Sequence, residues 1–150
     1  MLTLQVEYLR DVHGEVQAYG EKQWAEIRYP PLMQEELDPA LDTLLRIEEE
    51  GSLLLVTARE AGQMAGYIMV VSSPMLNHQE VNYAMELAMY VGKDYRRCGV
   101  ARSLMQYCEE ACREAGVHYL TFSVTPTLDY TPLLEAEGYI KTEILHTKRL

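Results

Sequence analysis

A chain of 150 residues with 48% hydrophobic and 24% charged side chains has the make-up of one globular domain, long enough to bury a core. No apolar run approaches the roughly 20 residues of a membrane span, and Met1-Leu2-Thr3-Leu4 lacks the basic and apolar regions of a secretory leader, so a soluble cytoplasmic protein is expected. The net charge of −10 disfavours nucleic acid, whose binding rests on neutralising phosphates, and the three cysteines (Cys98, Cys108, Cys112) fit neither a disulfide framework nor a metal site.

Leu2 to Tyr8 alternates apolar and polar residues, the period of a strand. His13 to Ile27 has helical character interrupted by Gly20, and Tyr29-Pro30-Pro31 then breaks the chain. Asp38-Pro39 reads as a helix start, and the apolar positions from Ala40 to Ile47 carry that helix to about Gly51. Leu53 to Arg59 and Met64 to Ser72 are strands around the turn Glu60-Ala61-Gly62-Gln63, with Gly66 suited to close packing or a bulge. Ser73 to Gln79 is expected to be a loop and Val81 to Val91 the next strand. Ala101 to Ala115 has helical spacing and stops at Gly116; Val117 to Val124 is a strand rich in aromatic and β-branched residues. Leu128 to Ala136 is a short helix, and Ile140 to Thr147 a final strand. The order β-α-α-β-β-β-α-β-α-β describes a single α/β domain over residues 1–150.

The run Tyr95-Arg96-Arg97-Cys98-Gly99-Val100-Ala101 sits between the strand ending at Val91 and the helix from Ala101. Backbone N–H groups at a helix start lack intrahelical partners, and the helix dipole adds positive potential. Gly99 lets the backbone come close to an anion, and Arg96 and Arg97 add charge. A strand, a glycine- and arginine-bearing turn and a helix therefore form a candidate phosphate cradle.

Arg96-x-x-Gly99-x-Ala101 in this position resembles the acyl-CoA pyrophosphate signature of the GCN5-related N-acetyltransferase (GNAT) superfamily. The element order resembles that family across nearly the whole chain, as does Gly138-Tyr139 near the end. The resemblance implies an acyl-CoA N-acyltransferase-like fold: a central mixed sheet, flanked by helices, with a splayed CoA-binding cleft between Met85–Val91 and Val117–Val124. It implies acetyl-CoA as cosubstrate, a primary amine of a small molecule or protein as acceptor, and no metal. Backbone groups of Met89, Tyr90 and Val91 would pair with the pantetheine arm. Those of Arg97, Cys98, Gly99, Val100 and Ala101 would hold pyrophosphate, with Arg96 or Arg97 on the phosphates. Related small domains pair through sheet edges or C-terminal strands, so a homodimer is compatible.

Acyl transfer to an amine requires removal of a proton from the ammonium and, at the end, protonation of the thiolate. Glu86 is the leading base candidate because its charge is unusual in an apolar strand; its alternatives are a substrate-ammonium anchor or a solvated carboxylate. Alternation puts Glu86, Ala88 and Tyr90 on one face and Met85, Leu87, Met89 and Val91 on the other, which is expected to be the core. His78 and Glu80 precede the strand and are further candidates at the acceptor entrance; His118 is weaker, and His13 and His146 have no motif support. At the position where the family carries its acidic tyrosine this chain has Leu134, so Tyr130, one helical turn earlier, is the candidate acid. The family asparagine after the fifth strand is also absent, leaving Thr125, Thr127 or water in its place.

Residues 1–50 carry 4 Lys/Arg against 12 Asp/Glu, a net −8, which suits a cationic acceptor and equally a solvated acidic face. Trp24, Tyr29 and Tyr83 are candidates for pocket walls, with packing the simpler role. Two other functions fit the sequence: a catalytically inactive CoA-binding or protein-interaction module on the same fold, suggested by Leu134, and an unrelated nucleotide- or phosphate-binding domain.

Overall fold

The computed structural model describes residues 1–150. Its centre is a five-stranded sheet in the order β1-β2-β3-β4-β5, comprising β1 (Leu2–Glu7), β2 (Leu53–Glu60), β3 (Gln63–Met75), β4 (His78–Val91) and β5 (Tyr119–Thr121). The first four strands pair antiparallel; β5 joins β4 in parallel through Tyr83–Tyr119, Ala84–Leu120 and Met85–Thr121. The sheet is therefore mixed and open.

Helices cover both faces. Helix α1 (Leu9–Ile27) and α2 (Leu41–Glu49) pack on one side, against Leu53, Leu55, Tyr67, Met69 and Tyr90. Helix α3 (Val100–Glu114) packs on the other, putting Val100, Leu104, Met105, Cys108 and Cys112 against Val56, Ile68, Val70, Met89 and Val91. Those five helix residues recur at helical spacing, so one stripe of α3 is apolar and the rest is solvated. With both faces covered, β3 reads as a continuous apolar run rather than an alternation.

Several boundaries differ from the sequence expectation. Helix α1 begins at Leu9 rather than His13 and passes through Gly20 unbroken, because Leu9 and Val16 are buried against the sheet and packing outweighs the propensity cost of glycine. Residues 73–79 are not a loop. Strands β3 and β4 extend into a long hairpin that turns at Leu76-Asn77, and Pro74 is accommodated opposite Asn82, next to a register shift. Strand β5 is only three residues long.

The expected strand at Ile140–Thr147 does not form. After α4 (Thr131–Ala136) the chain has no regular structure, and Ile140, Ile144 and Leu145 are exposed. A strand needs an edge to pair with and a face to bury. The alternation Ile140, Thr142, Ile144 is broken by Leu145, so no single face is apolar enough to specify a register.

The face assignment along β4 also needs correction. Met69 pairs with Ala88 but the next residue, Val70, pairs with Glu86, leaving Leu87 as an extra, bulged residue. The bulge inverts the alternation. Glu86 lies opposite Val70 on the α3 face, the face that Met89 and Val91 also share, whereas Ala88 and Tyr90 face α1. Met85 and Leu87, expected in the core, are each 47% exposed. Gly66 has the predicted close approach: a Cβ there would lie 2.8 Å from the carbonyl oxygen of Tyr90.

Candidate active site

The turn between β4 and α3 is built as a string of unspent donors. A single 3-10 turn at Lys93–Tyr95 leads to Arg97 at φ 65° and Gly99 at φ 79°, both left-handed, and α3 starts at Val100 with no side-chain cap. The backbone N–H groups from Arg97 through Arg102 donate to no acceptor in the protein. Alternating left-handed residues ahead of a helix turn such donors into an anion-binding concavity, and the helix dipole reinforces it. Left-handed geometry is free for Gly99 but strained for Arg97, and strain of that sort concentrates where function uses it.

The two arginines behave differently. Arg97 is exposed and makes no ion pair. Arg96 is turned back toward α1: its guanidinium lies 3.0 Å from Glu26, its Nε donates to the Val91 carbonyl at 3.0 Å, and it sits over the Tyr90 ring. Tyr90 donates its hydroxyl to the same Glu26 at 2.6 Å. Burial opposes ionisation of Glu26, but the hydrogen bonds from Tyr90 and Arg96 outweigh it and hold its pKa below the ordinary carboxylate value. Burial first, then the hydrogen bond to Glu26 and the Glu26 charge, pushes Tyr90 up to about 12. Cys98 is exposed, and Val100 is buried under the turn.

The cleft opens where β4 and β5 part. Their ladder ends at Met85–Thr121, and beyond it the edge of β4 from Glu86 to Val91 has no strand beside it. Side chains take its carbonyls: Gln23 from α1 donates to Met89 at 3.1 Å, and Arg96 to Val91.

Glu86 stands at the fork itself. It is one of two buried polar residues of the chain, and its Oε2 accepts the backbone N–H of Ser123 at 3.3 Å and the Ser123 hydroxyl at 3.1 Å. Burial raises its pKa above the ordinary carboxylate value, and the two Ser123 bonds pull it part of the way back. Tyr130, the residue before α4, donates its hydroxyl to the Ser123 carbonyl at 2.6 Å. Burial and the neighbouring Glu86 carboxylate raise the Tyr130 pKa far above its ordinary value, so it keeps its proton. Leu134 is buried in the α3 core and offers no hydroxyl.

Not every candidate is brought to the fork. His78 and Glu80 are exposed on the distal part of the hairpin. At about 3.3 Å per strand residue, Glu80 lies roughly 20 Å along β4 from Glu86 and His78 farther still. His118 is a structural tie, since its Nδ1 accepts the backbone N–H of Asn82 at 3.0 Å. No group of three or more His, Cys, Asp or Glu side chains is placed to hold a metal ion.

Sequence reasoning missed Gln23, Glu26 and Ser123. No spacing rule ties Gln23 or Glu26 on α1 to β4, and Ser123 lies two residues beyond a very short strand. The one available signal for Ser123 was a small hydroxyl opposite the only carboxylate between Val81 and Val91.

The geometry agrees with comparisons to known proteins. A model of the acetyltransferase (GNAT) family matches residues 18–131. The chain belongs to the GNAT family of acetyltransferases. The match runs from the middle of α1 to the start of α4 and so includes the anion turn, the fork, Glu86 and Ser123. Solved GNAT-like structures share the fold over nearly the full length. A GCN5-related N-acetyltransferase from Ralstonia eutropha superposes with TM-score 0.79 at 18% identity, covering 99% of each chain. An aminoglycoside acetyltransferase from an uncultured soil metagenomic sample, in complex with sisomicin, gives 0.76 at 12% identity over 99% of this chain and 95% of that one. A predicted acetyltransferase with acetyl-CoA from Clostridium acetobutylicum gives 0.72 at 15% identity over 99% and 96%. Comparison with curated proteins by sequence finds no significant match. The expectation of an acyl-CoA N-acyltransferase-like fold, a central mixed sheet flanked by helices, is met, and an inert module on the same fold is not the favoured reading. No helix of this GNAT chain is long and apolar enough to cross a membrane.

Proposed function

We propose that this GNAT enzyme transfers the acetyl group of acetyl-CoA directly to a primary amine, with Glu86 as general base. The observation that carries the reading is a buried carboxylate at the point where β4 and β5 separate, on the strand that leads into an unspent N–H turn. The N–H groups of Arg97 to Ala101 hold the pyrophosphate, and the exposed Arg97 adds charge from outside. The open edge at Met89, Tyr90 and Val91 takes the pantetheine arm, with Gln23 and Arg96 yielding the two carbonyls. Glu86 removes a proton from the acceptor ammonium so that the nitrogen lone pair can attack the thioester carbonyl. A raised pKa brings the carboxylate closer to working pH and makes it a stronger base than an exposed glutamate. Tyr130, protonated and beside the fork, returns a proton to the departing CoA thiolate.

The acceptor is a cationic amine, either a small polyamine or aminoglycoside-like molecule or a lysine-bearing protein segment. The net charge of −8 over residues 1–50, which form β1, α1 and α2, supports this preference. We place the reaction in the cytoplasm, where its acetyl-CoA donor is supplied. His78 and Glu80, exposed on the distal hairpin and roughly 20 Å or more along β4 from Glu86, take no part in proton transfer.

The test is acetyl-CoA-dependent thiol release across a panel of polyamines, aminoglycosides and lysine peptides, with CoA affinity measured in parallel by calorimetry. Turnover with a cationic amine is expected. A folded protein that binds CoA and releases no thiol with any class of amine would overturn the reading in favour of a non-catalytic CoA-binding module.

A further inference from the structure

The segment after β5 is not held in place by the sheet. The parallel ladder stops at Thr121, and the next backbone bridge is the local one between Thr125 and Leu128. Ser123 lies between them and makes three hydrogen bonds of its own. Its N–H and its hydroxyl both donate to Oε2 of Glu86, and its carbonyl accepts the Tyr130 hydroxyl. The other carboxylate oxygen is treated differently. Glu86 Oε1 accepts no hydrogen bond from the protein, yet it is not among sealed, partnerless atoms, so it reaches solvent. An ionised carboxylate has about four lone-pair sites; here the protein occupies one oxygen and leaves the other open.

We propose that Ser123 is a positioning residue for the transfer reaction: it pins Oε2 of Glu86 with two donors and so presents Oε1 as the atom that takes the acceptor's proton. The inference rests on the assignment of Glu86 as base and adds to it which oxygen reacts and what holds it. The proton leaves the acceptor ammonium and bonds to Oε1, the carboxylate becomes a neutral acid, and no other bond of the enzyme changes. Two donors on Oε2 also favour the ionised form and pull back part of the rise that burial imposes. Tyr130 fixes the Ser123 peptide from the other side, which makes the serine a rigid strut rather than a mobile loop residue.

The titratable groups whose charge couples to Glu86 are Tyr67 on β3, Cys108 on α3 and Tyr130 ahead of α4. Burial raises both tyrosines, and a hydrogen bond with Cys112 followed by burial raises Cys108. All three stay neutral across the acid range, so a titration there belongs to the carboxylate.

The decisive measurement is a carbon-13 titration of the glutamate carboxyls in the full-length protein, with the Glu86 signal assigned by its loss in Glu86→Gln. Ser123→Ala should raise the Glu86 midpoint by about one pH unit, and Ser123→Thr, which keeps the hydroxyl, should restore it. With a responsive amine, the acid limb of kcat/KM should move by the same amount in Ser123→Ala while KM for acetyl-CoA stays put. A serine that merely stitches the loop would lower the melting temperature and leave both pH readouts where they were. A folded Ser123→Ala protein with an unmoved Glu86 midpoint overturns the proposal. If Glu86→Gln retains full turnover, the base assignment falls instead, and the titration still decides whether Ser123 holds the carboxylate.

Discussion

Replacing Glu86 by glutamine should separate activity from stability in opposite directions. The amide has the shape of the carboxylate, and its oxygen can still accept from Ser123, so packing at the fork is kept. What it loses is basicity, and removal of one well-placed proton acceptor costs on the order of 10²–10⁴ in rate. Stability follows from the sign of the pKa shift. Burial raises the folded-state value above the unfolded reference of 4.5, so the native state binds its proton more tightly than the unfolded chain. Stability contributed by the protonated group is therefore present below 4.5 and is lost as pH rises through the raised folded value. Glutamine carries no such loss, so the variant should melt at the same temperature as the parent or higher at neutral pH. The assay is kcat/KM against pH with a responsive amine, beside thermal melts of both proteins over the same range. The parent should show an acid limb, and the variant a lower, flatter profile, with the deficit greatest at low pH where less acceptor is neutral. A variant with parental rates would refute the reasoning, and so would one whose activity falls only in step with a lowered melting temperature.

Three further outcomes follow from the geometry. Gly99→Glu sets a negative charge, of the same sign as the phosphates, among the N–H groups of the turn and strains a φ of 79°, so CoA affinity by calorimetry should fall by at least about tenfold while α3, packed through Leu104 and Met105, stays folded. Gly66→Ala drives a methyl to 2.8 Å from the Tyr90 carbonyl, and overpacking of that kind should cost about 1–3 kcal/mol in denaturant unfolding. Tyr130→Phe removes the proposed proton donor and the bond to Ser123 together; kcat should drop with KM for acetyl-CoA unchanged, and a parental kcat would leave solvent as the proton source.

The elements that announced themselves in the sequence are those whose physics is local. The apolar stripe of α3, the Gly62 turn and the Arg96-to-Ala101 run each follow from spacing and backbone geometry within a few residues. Strand β4 was legible as a strand but not in its faces, because a bulge is a property of two strands and leaves no mark in one. The final strand failed for a different reason: the alternation of Ile140, Thr142 and Ile144 is broken by Leu145, so the segment has the residues of a strand without one apolar face to set a register. Glu86 could be singled out as a charge among apolar neighbours. The side chains that define its surroundings, Ser123 and Tyr130, come from segments 37 and more residues away, and only folding brings them there. Arg96 was readable as a cation at the turn; its commitment to Glu26 depends on α1, 70 residues earlier.

The extra residue at Leu87 has a consequence for how this strand can vary. On one side of it Glu86 takes its place by the count from Ala84; on the other, Met89 and Val91 take theirs by a count one residue out of step. Substitutions along β4 change one contact each. A single deletion between the two counts would rotate either the carboxylate away from the fork or the two apolar anchors out of the α3 core. The strand is thus free to drift in composition but locked in length, whereas the exposed tip at Leu76-Asn77 can gain or lose residues at little cost. Among distant relatives the spacing from Glu86 to Gly99 should be the inherited quantity, more durable than the residues that fill it.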